Sequence, residues 1–315
     1  MIDNFLFSLN VVAPVFILIL VGYISKELNF INENFVSVTS KFAFNISMPV
    51  LIFMQVSSLN LKQVVNFELI GFIYLATISS FILIWIFSIP FIENTKDRSS
   101  FIQGAFRSNF AIIGFAIISH LLGKNSLGKA SILLAFVLPL YNILAVIVLT
   151  FPQRKKENLQ LKEILNEILI NPLIIAVVIG LIFSYWSLKL PKPISESGKL
   201  LSDLALPLAL IGIGGSLNLK EIKETPTLAI SASLIKIIII PLVFTFIGYL
   251  FNFKGEDLVI LFVLFASPTA IVSFIMAEAM GANGKLAGHI ILISTIGSVF
   301  TFAIGIMILK SFFII

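Results

Sequence analysis

Charged residues are scarce in this 315-residue sequence, and cysteine is absent. Only 12% of the residues are Asp, Glu, Lys or Arg, whereas soluble globular domains carry about 25%. So few charges cannot cover a water-facing surface, which excludes a soluble globular protein. The lack of cysteine excludes disulfides, thiolate metal sites and a cysteine nucleophile.

Signatures of catalysis and of nucleic-acid binding are also missing. The sequence contains no HExxH, GxSxG or Walker motif, so we do not interpret it as an enzyme. No basic stripe is interleaved with aromatic residues, so nucleic acid is not an expected partner. His120 and His289 are unpaired in the sequence, so we predict no metal site, and no cofactor is expected.

Long apolar runs are what the sequence has instead. Hydrophobic residues make up 58% of the chain, and the mean hydropathy is +1.09. Runs of about 20 residues recur, each long enough to cross about 30 Å of hydrocarbon as a helix, and they do not alternate in polarity as barrel strands do. We therefore predict an all-α polytopic membrane protein with ten transmembrane helices, near residues 5–25, 35–57, 67–90, 99–122, 127–150, 167–186, 197–216, 227–250, 257–280 and 287–310.

An internal repeat indicates that the second half of the chain duplicates the first. The pentapeptide SLNLK begins at Ser58 and again at Ser216, an offset of 158 residues. Proline and glycine break helices, so their coincidences on the same offset are informative. The pairs on this offset are Pro14 with Pro172, Gly22 with Gly180, Lys41 with Lys199, Pro49 with Pro207, Gly123 with Gly281, and Asn125 with Asn283.

The repeat divides the chain into two five-helix halves, residues 1–151 and 167–315, joined by a linker at 152–166. Because five is odd, the second half enters the membrane from the opposite side, which is the inverted-repeat plan of secondary transporters. One membrane face then carries 12 Lys and Arg residues and the other 8. The positive-inside rule places the richer face, with the linker, in the cytoplasm and both termini outside.

Two predicted spans combine small, polar and helix-breaking residues at mid-depth. The fourth contains FRSNFAIIGF, residues 106–115, and the ninth contains ASPTAIVSF, residues 266–274. Pro268 removes a backbone donor, and the repeat places Asn109 opposite Ser267. Paired breaks would present two helix N-termini, each about half a positive charge, to an anion. The simpler alternative is that these residues only serve helix packing.

Two further prolines predict breaks in the second and seventh spans. Pro49 follows Asn45, and Pro207 follows Asp203. Asp203 is therefore a candidate carrier of a coupling proton if it is buried. The alternative is that it faces water near the end of its span, and the sequence leaves both open.

Two basic residues fall within predicted spans. Arg107 either faces an anion path or, as we favour, extends to the cytoplasmic surface with its stem in the apolar region. Lys236 lies in the eighth span, within LIKIIII. We expect its side chain to reach the surface in the same way or to pair with an acid.

Four segments carry a resemblance to the auxin efflux carrier family of membrane permeases, in its bacterial branch. FAFNISMPVLIF (42–53) resembles the second-span motif of the family, and RSNFAIIGF (107–115) resembles the fourth. LALPLALIGIGGSL (204–217) is similar to the seventh span and SPTA (267–270) to the ninth. The segments follow one another in the family's order, and the resemblance covers essentially the whole chain.

The resemblance implies two inverted five-helix repeats, related to bile-acid symporters and sodium/proton antiporters, in which broken fourth and ninth helices cross. It also implies binding of malate, malonate or another small carboxylate. Carried over by position, the substrate-binding residues are Asn109, Gly114, Ser267, Pro268 and Thr269 at the crossing, with Asn45 in the neighbouring second span. Ala116 stands about where the family has a fourth-span proline, so that break would depend on Gly114 and Asn109.

These observations predict a secondary transporter, a permease that moves a small organic anion, a mono- or dicarboxylate, across the inner (plasma) membrane by alternating access. The coupling ion is left open between a proton, sodium and none. A cation/proton antiporter is the alternative within transport, but the ninth span has only Glu278 as an acid beyond its first turn, and the fourth has none. A non-transporting membrane receptor is the alternative from another class. The expected partners are the organic anion and the lipid bilayer, and a homodimer is one assembly that the sequence allows.

Overall fold

In a computed structural model, the described part of the chain, residues 2–58, 66–150, 170, 172–217 and 226–312, folds into α-helices joined by short turns, without β-strands. The predicted linker at 152–166 and most of both SLNLK copies lie outside these residues. The helices are α1 Ile2–Glu27, α2 Glu33–Phe42, α3 Met48–Ser57, α4 Phe67–Ser88, α5 Thr95–Phe106, α6 Phe115–Leu121, α7 Ser126–Thr150, α8 Pro172–Tyr185, α9 Lys192–Ser216, α10 Thr227–Leu234, α11 Ile240–Leu250, α12 Gly255–Ala266, α13 Val272–Ala279 and α14 Gly284–Ser311. Three single π-helical turns lie between these helices. Ala43–Ser47 connects α2 to α3, Phe110–Gly114 leads into α6, and Ile235–Ile239 connects α10 to α11.

Eight helical segments of the described residues are long and apolar enough to cross a membrane. They coincide with eight of the ten predicted spans. The predicted sixth span corresponds to α8, a shorter apolar helix of 14 residues, and the ninth is divided into α12 and α13. The all-helical class is therefore confirmed, while the count of ten spans and their inverted arrangement stay predictions.

Close packing of α1 against α9 depends on two glycines. A Cβ atom at Gly22 would overlap the backbone oxygen of Ile211, and one at Gly214 would overlap that of Ile19. Small residues let membrane helices approach to backbone contact in this way. α9 also contacts α2 and α3, and α8 packs on α3. These helices form one packed group, which contacts the rest of the described chain partly through α1 and α14.

The prolines of the second and seventh predicted spans do not break their helices. Pro207 lies inside α9, which is continuous from Lys192 to Ser216, so the predicted break there is wrong. Pro49 stands in the first turn of α3, directly after the π-helical turn at Ala43–Ser47. Helical structure is continuous from Glu33 to Ser57, and the π-helical turn before Pro49 is a local adjustment of the kind that lets a membrane helix accommodate proline.

Helix α5 is enclosed by four other helices. Every residue from Ser99 to Phe106 is buried, and α4, α7, α10 and α14 all pack against this helix. The segment is polar for a span, with Ser99, Ser100 and Gln103 fully buried. Its neighbours shield it from lipid, and it leads directly into the break at residues 107–109.

Candidate functional site

Both predicted interruptions, in the fourth and the ninth spans, are present. α5 ends at Phe106, and helical structure resumes with the π-helical turn at Phe110. α12 ends at Ala266, and α13 begins at Val272. Ser267 has extended backbone angles, φ −60° and ψ 135°, as expected for a residue that precedes proline. The first break has no proline and therefore needs another cause.

Hydrogen bonds between the two breaks supply that cause. The Asn109 N–H donates to the Pro268 carbonyl oxygen at 2.7 Å. The Ser108 hydroxyl donates to the Leu264 carbonyl at 2.7 Å, and the Thr269 hydroxyl donates to the Gly104 carbonyl at 2.7 Å. Each hydroxyl thus satisfies a carbonyl at the end of the opposite helix. These bonds join residues 104–114 to residues 263–272. We call these two segments together the crossing.

Two further carbonyls near the end of α12 also accept hydrogen bonds from side chains. The Ser267 hydroxyl donates to the Val263 carbonyl at 2.6 Å, and the Lys236 ammonium donates to the Phe265 carbonyl at 2.8 Å. Lys236 is fully buried, so neither predicted placement, at the surface or beside an acid, is correct. A cation is favoured at a helix C-terminus because the free carbonyls there carry partial negative charge.

Gly114 is a point of close approach between the breaks. A Cβ atom at this position would lie 2.5 Å from Cδ2 of Phe110 and 2.9 Å from the hydroxyl oxygen of Ser267. Both distances are well inside van der Waals contact. Any larger residue would therefore push the π-helical turn away from the start of the second break.

Asn109 differs from its neighbours in having a free side chain. The residue is 6% exposed, and its amide makes no hydrogen bond within the part of the chain that the structure describes. The N–H groups at the start of a helix also have no partner within that helix, and the turn after Asn109 provides such groups. By contrast, Thr269 uses both its hydroxyl and its N–H, the latter on the Ser294 hydroxyl at 3.1 Å.

Five of the six predicted binding residues lie together at the crossing: Asn109, Gly114, Ser267, Pro268 and Thr269. The sixth, Asn45, is exposed, and its amide donates to the Lys41 carbonyl at 2.9 Å. The turn that carries Asn45 packs chiefly against α9. The structure therefore groups the first five, and a role in binding stays a prediction for all six.

Asp203 lies on the surface of α9. Its carboxylate forms an ion pair with the Lys124 ammonium at 2.6 Å, and both side chains are more than half exposed. The carboxylate is therefore exposed, and the buried placement that the sequence left open is not found. Its proposed role in coupling stays a prediction.

The surface placement favoured for Arg107 is also wrong. The residue is 3% exposed, so it does not extend to the surface. Its guanidinium donates to Oδ1 of Asn142 at 2.7 Å and to the sulfur of Met276 at 2.9 Å. The polar composition of α5 was a signal for this burial, because a span with several polar residues must be shielded from lipid by other helices.

Comparisons with known proteins agree with this architecture. The family model described as "Membrane transport protein" matches residues 7–306. An uncharacterized transporter of Methanocaldococcus jannaschii is 26% identical over 304 residues, which cover 94% of this chain and 97% of the relative. An uncharacterized transporter of Methanothermobacter thermautotrophicus is 23% identical over 297 residues, covering 93% and 95%.

The match over nearly the whole chain confirms the resemblance drawn from the four sequence segments. Together with the apolar helices of the fold, it identifies a multi-pass membrane protein. This chain belongs to the family of membrane transport proteins that includes the auxin efflux carriers.

Proposed function

We propose that this protein is a secondary transporter that moves a small organic anion, a mono- or dicarboxylate, across the cell membrane by alternating access. The crossing is the proposed binding site, and Asn109 is its main side-chain donor. Helix breaks that meet between packed helices are the usual location of substrate sites in secondary transporters.

The sign of the buried charge is the observation that carries the proposal. Among the residues whose burial the structure describes, the buried side chains include Arg107 and Lys236 but no Asp or Glu. Arg107 is part of the crossing, and Lys236 contacts it through the Phe265 carbonyl. In a medium of low dielectric constant this arrangement attracts an anion and repels a cation. A cation/proton antiporter would need the opposite sign.

Free donors at the crossing support the same conclusion. A carboxylate only accepts hydrogen bonds when it is ionised, and the Asn109 amide offers two donors that no described residue occupies. The N–H groups of the turn after Asn109 form the positive end of a helix next to this residue. The crossing therefore offers what a carboxylate requires.

The test is tracer exchange in proteoliposomes, with radiolabelled malonate inside and a panel of unlabelled mono- and dicarboxylates outside. We expect at least one carboxylate to accelerate release of the label, because alternating access exchanges substrate across the membrane. Asn109→Leu should abolish most of the exchange, whereas Asn10→Leu, on the exposed side of α1, should leave it intact. Binding of a carboxylate at fixed stoichiometry without exchange would instead identify a receptor.

For coupling, Asp203 is the proposed proton carrier, with an exposed carboxylate paired to Lys124. Asp203→Asn should leave exchange at constant pH intact and weaken uptake that is driven by a pH gradient. Pairing with Lys124 offers a matched control, because Lys124→Gln breaks the same ion pair without removing the carboxylate. Uptake that both variants leave unchanged would make Asp203 a solvated residue near the end of its span.

For topology, we propose two inverted five-helix repeats with both termini outside the cytoplasm of the cell. An accessibility tag after Ile315 and one inserted within 153–160 should then report opposite sides of the membrane. Both positions lie outside the described residues. Two tags on the same side would rule out five spans in the second half.

A further inference from the structure

Two donors, Gln103 in the last turn of α5 and Arg107 directly after it, converge on one weak acceptor. The Arg107 guanidinium lies 2.9 Å from the sulfur of Met276, and the Gln103 amide nitrogen lies 3.9 Å from the same atom. Both donor side chains are at least 97% buried. A thioether sulfur is a poor hydrogen-bond acceptor, so these donors hold a position that a better acceptor could occupy.

No carboxylate of the residues that the structure describes pairs with the charge of Arg107. Its other hydrogen bond goes to the neutral amide oxygen of Asn142, at 2.7 Å. Within the described residues, none of the ion pairs includes Arg107. A buried ion without a counter-charge destabilises the protein, and an anionic ligand beside the guanidinium would offset that cost. Lys236 is different, because a backbone carbonyl at a helix C-terminus already accepts from it.

The sulfur of Met276 is in a position to move away. Met276 is only partly buried, and it lies in α13, the short helix that follows the second break. Methionine has three rotatable side-chain bonds and adapts easily to new surroundings. Rotation of this side chain would leave the guanidinium and the Gln103 amide facing the same space, and a guanidinium binds a carboxylate with two parallel hydrogen bonds.

We propose that Arg107 and Gln103 bind a carboxylate of the transported anion, and that Met276 occupies this position when the ligand is absent. The inference rests on the proposed function and adds the residue that selects an ionised acid over a neutral analogue. Arg107 and Asn109 are two residues apart along the chain, which separates their Cα atoms by at most about 7 Å. One small organic anion can therefore contact both side chains.

Binding of malonate and of its neutral analogue malonamide to the purified full-length protein, measured by calorimetry, tests this inference. Arg107→Gln should weaken malonate binding about 10- to 100-fold, as expected for loss of a charged hydrogen bond, and should leave the weaker malonamide binding unchanged. Asn142→Asp should weaken malonate binding as well, because it places a carboxylate of the protein beside Arg107. Met276→Leu should preserve or improve malonate binding, since it removes the competing acceptor.

The outcomes separate the inference from the proposed function. Malonate binding that survives in both Arg107→Gln and Asn142→Asp but is lost in Asn109→Leu would overturn the role of Arg107 and leave the crossing as the site. No binding or exchange of any carboxylate by the unmodified protein would overturn both. If Arg107→Gln does not fold, the near-isosteric Asn142→Asp still decides, because a purely structural Arg107 predicts a more stable protein with unchanged affinity. Chloride binding that needs Arg107, beside malonate binding that does not, would assign the position to an inorganic anion and overturn the inference.

Discussion

The two breaks that meet at the crossing arise from different causes. The break between α12 and α13 contains Pro268, which removes a backbone donor and holds Ser267 in an extended conformation. The break between α5 and the following π-helical turn contains no proline, and Ala116 lies in regular helix beyond it. Hydrogen bonds from Ser108 and Asn109 to the opposite break replace the helical bonds there. The break at Pro268 is thus encoded in the local sequence, whereas the break after α5 depends on hydrogen bonds to the opposite segment.

The breaks also differ in which polar side chain remains available to a ligand. The Ser267 hydroxyl is engaged by the Val263 carbonyl of its own helix, whereas the Asn109 amide makes no bond within the described residues. The repeat pairs these two residues, and the sequence predicts that they act alike. We therefore expect Asn109 to contribute more to ligand binding than Ser267, whose hydroxyl is already bonded to its own helix.

The largest expected effect follows from this difference. Asn109→Leu should weaken carboxylate binding by about 1–3 kcal/mol, or roughly 5- to 150-fold, because a buried ligand oxygen would lose its partner. Ser267→Ala should change the affinity much less, since the lost hydroxyl served its own helix. Calorimetry on folded, monodisperse variants measures both. Equal losses in the two variants would restore the symmetric interpretation, and no loss in either would place the site elsewhere, with the second and seventh predicted spans to be tested first.

A smaller effect, on stability, tests how closely the breaks approach. Gly114→Ala should destabilise the protein by about 1–3 kcal/mol, because the new methyl group overlaps Phe110 and the Ser267 hydroxyl. Gly71→Ala is the matched control, since a Cβ atom there meets nothing within 4 Å and alanine favours a helix by about 0.5–1 kcal/mol. Thermal unfolding in detergent should shift in opposite directions for the two variants. A shift in the same direction would mean that the breaks are not packed tightly at Gly114.

The smallest effect is expected from Ala116→Pro, which gives the first break the proline that the family pattern has. If the backbone after the break already tolerates proline, stability should change by only about 0.4–1 kcal/mol, with ligand affinity preserved. Unfolding and binding measurements together check this. A loss of about 3 kcal/mol, the cost of proline in a regular helix interior, would show that α6 depends on the Ala116 N–H and that the two breaks cannot be made alike.

Much of the fold could be predicted from the sequence, because apolar length and helix breakers are local signals. The predicted second span, near 35–57, matches the segment from Glu33 to Ser57, and the tenth, near 287–310, matches Gly284–Ser311. The break at Pro268 was predictable for the same reason. Pro207 was not, because whether a proline interrupts a helix depends on how the surrounding helices satisfy the backbone, and α9 remains continuous around it.

The candidate site was predictable only in part. The repeat and the family resemblance bring Asn109 and Ser267 to the same place, but they do not show which side chain is already hydrogen-bonded. The burial of Arg107 and the contact of Lys236 with Phe265 depend on which faces of neighbouring helices meet. Hydropathy along one chain carries no information about that choice, so the surface position favoured for Arg107 and both positions expected for Lys236 are wrong.

The absence of cysteine makes the central claim directly measurable, because a single introduced thiol is the only one in the chain. Ala270 is 9% exposed and lies in the second break, so Ala270→Cys places a small thiol at the crossing. Modification by a membrane-impermeant thiol reagent is measured in vesicles of each orientation, with and without a transported carboxylate. Alternating access around the crossing predicts modification from both sides of the membrane and protection by the carboxylate. Modification from one side only, or a rate that no carboxylate changes, would contradict transport through the crossing.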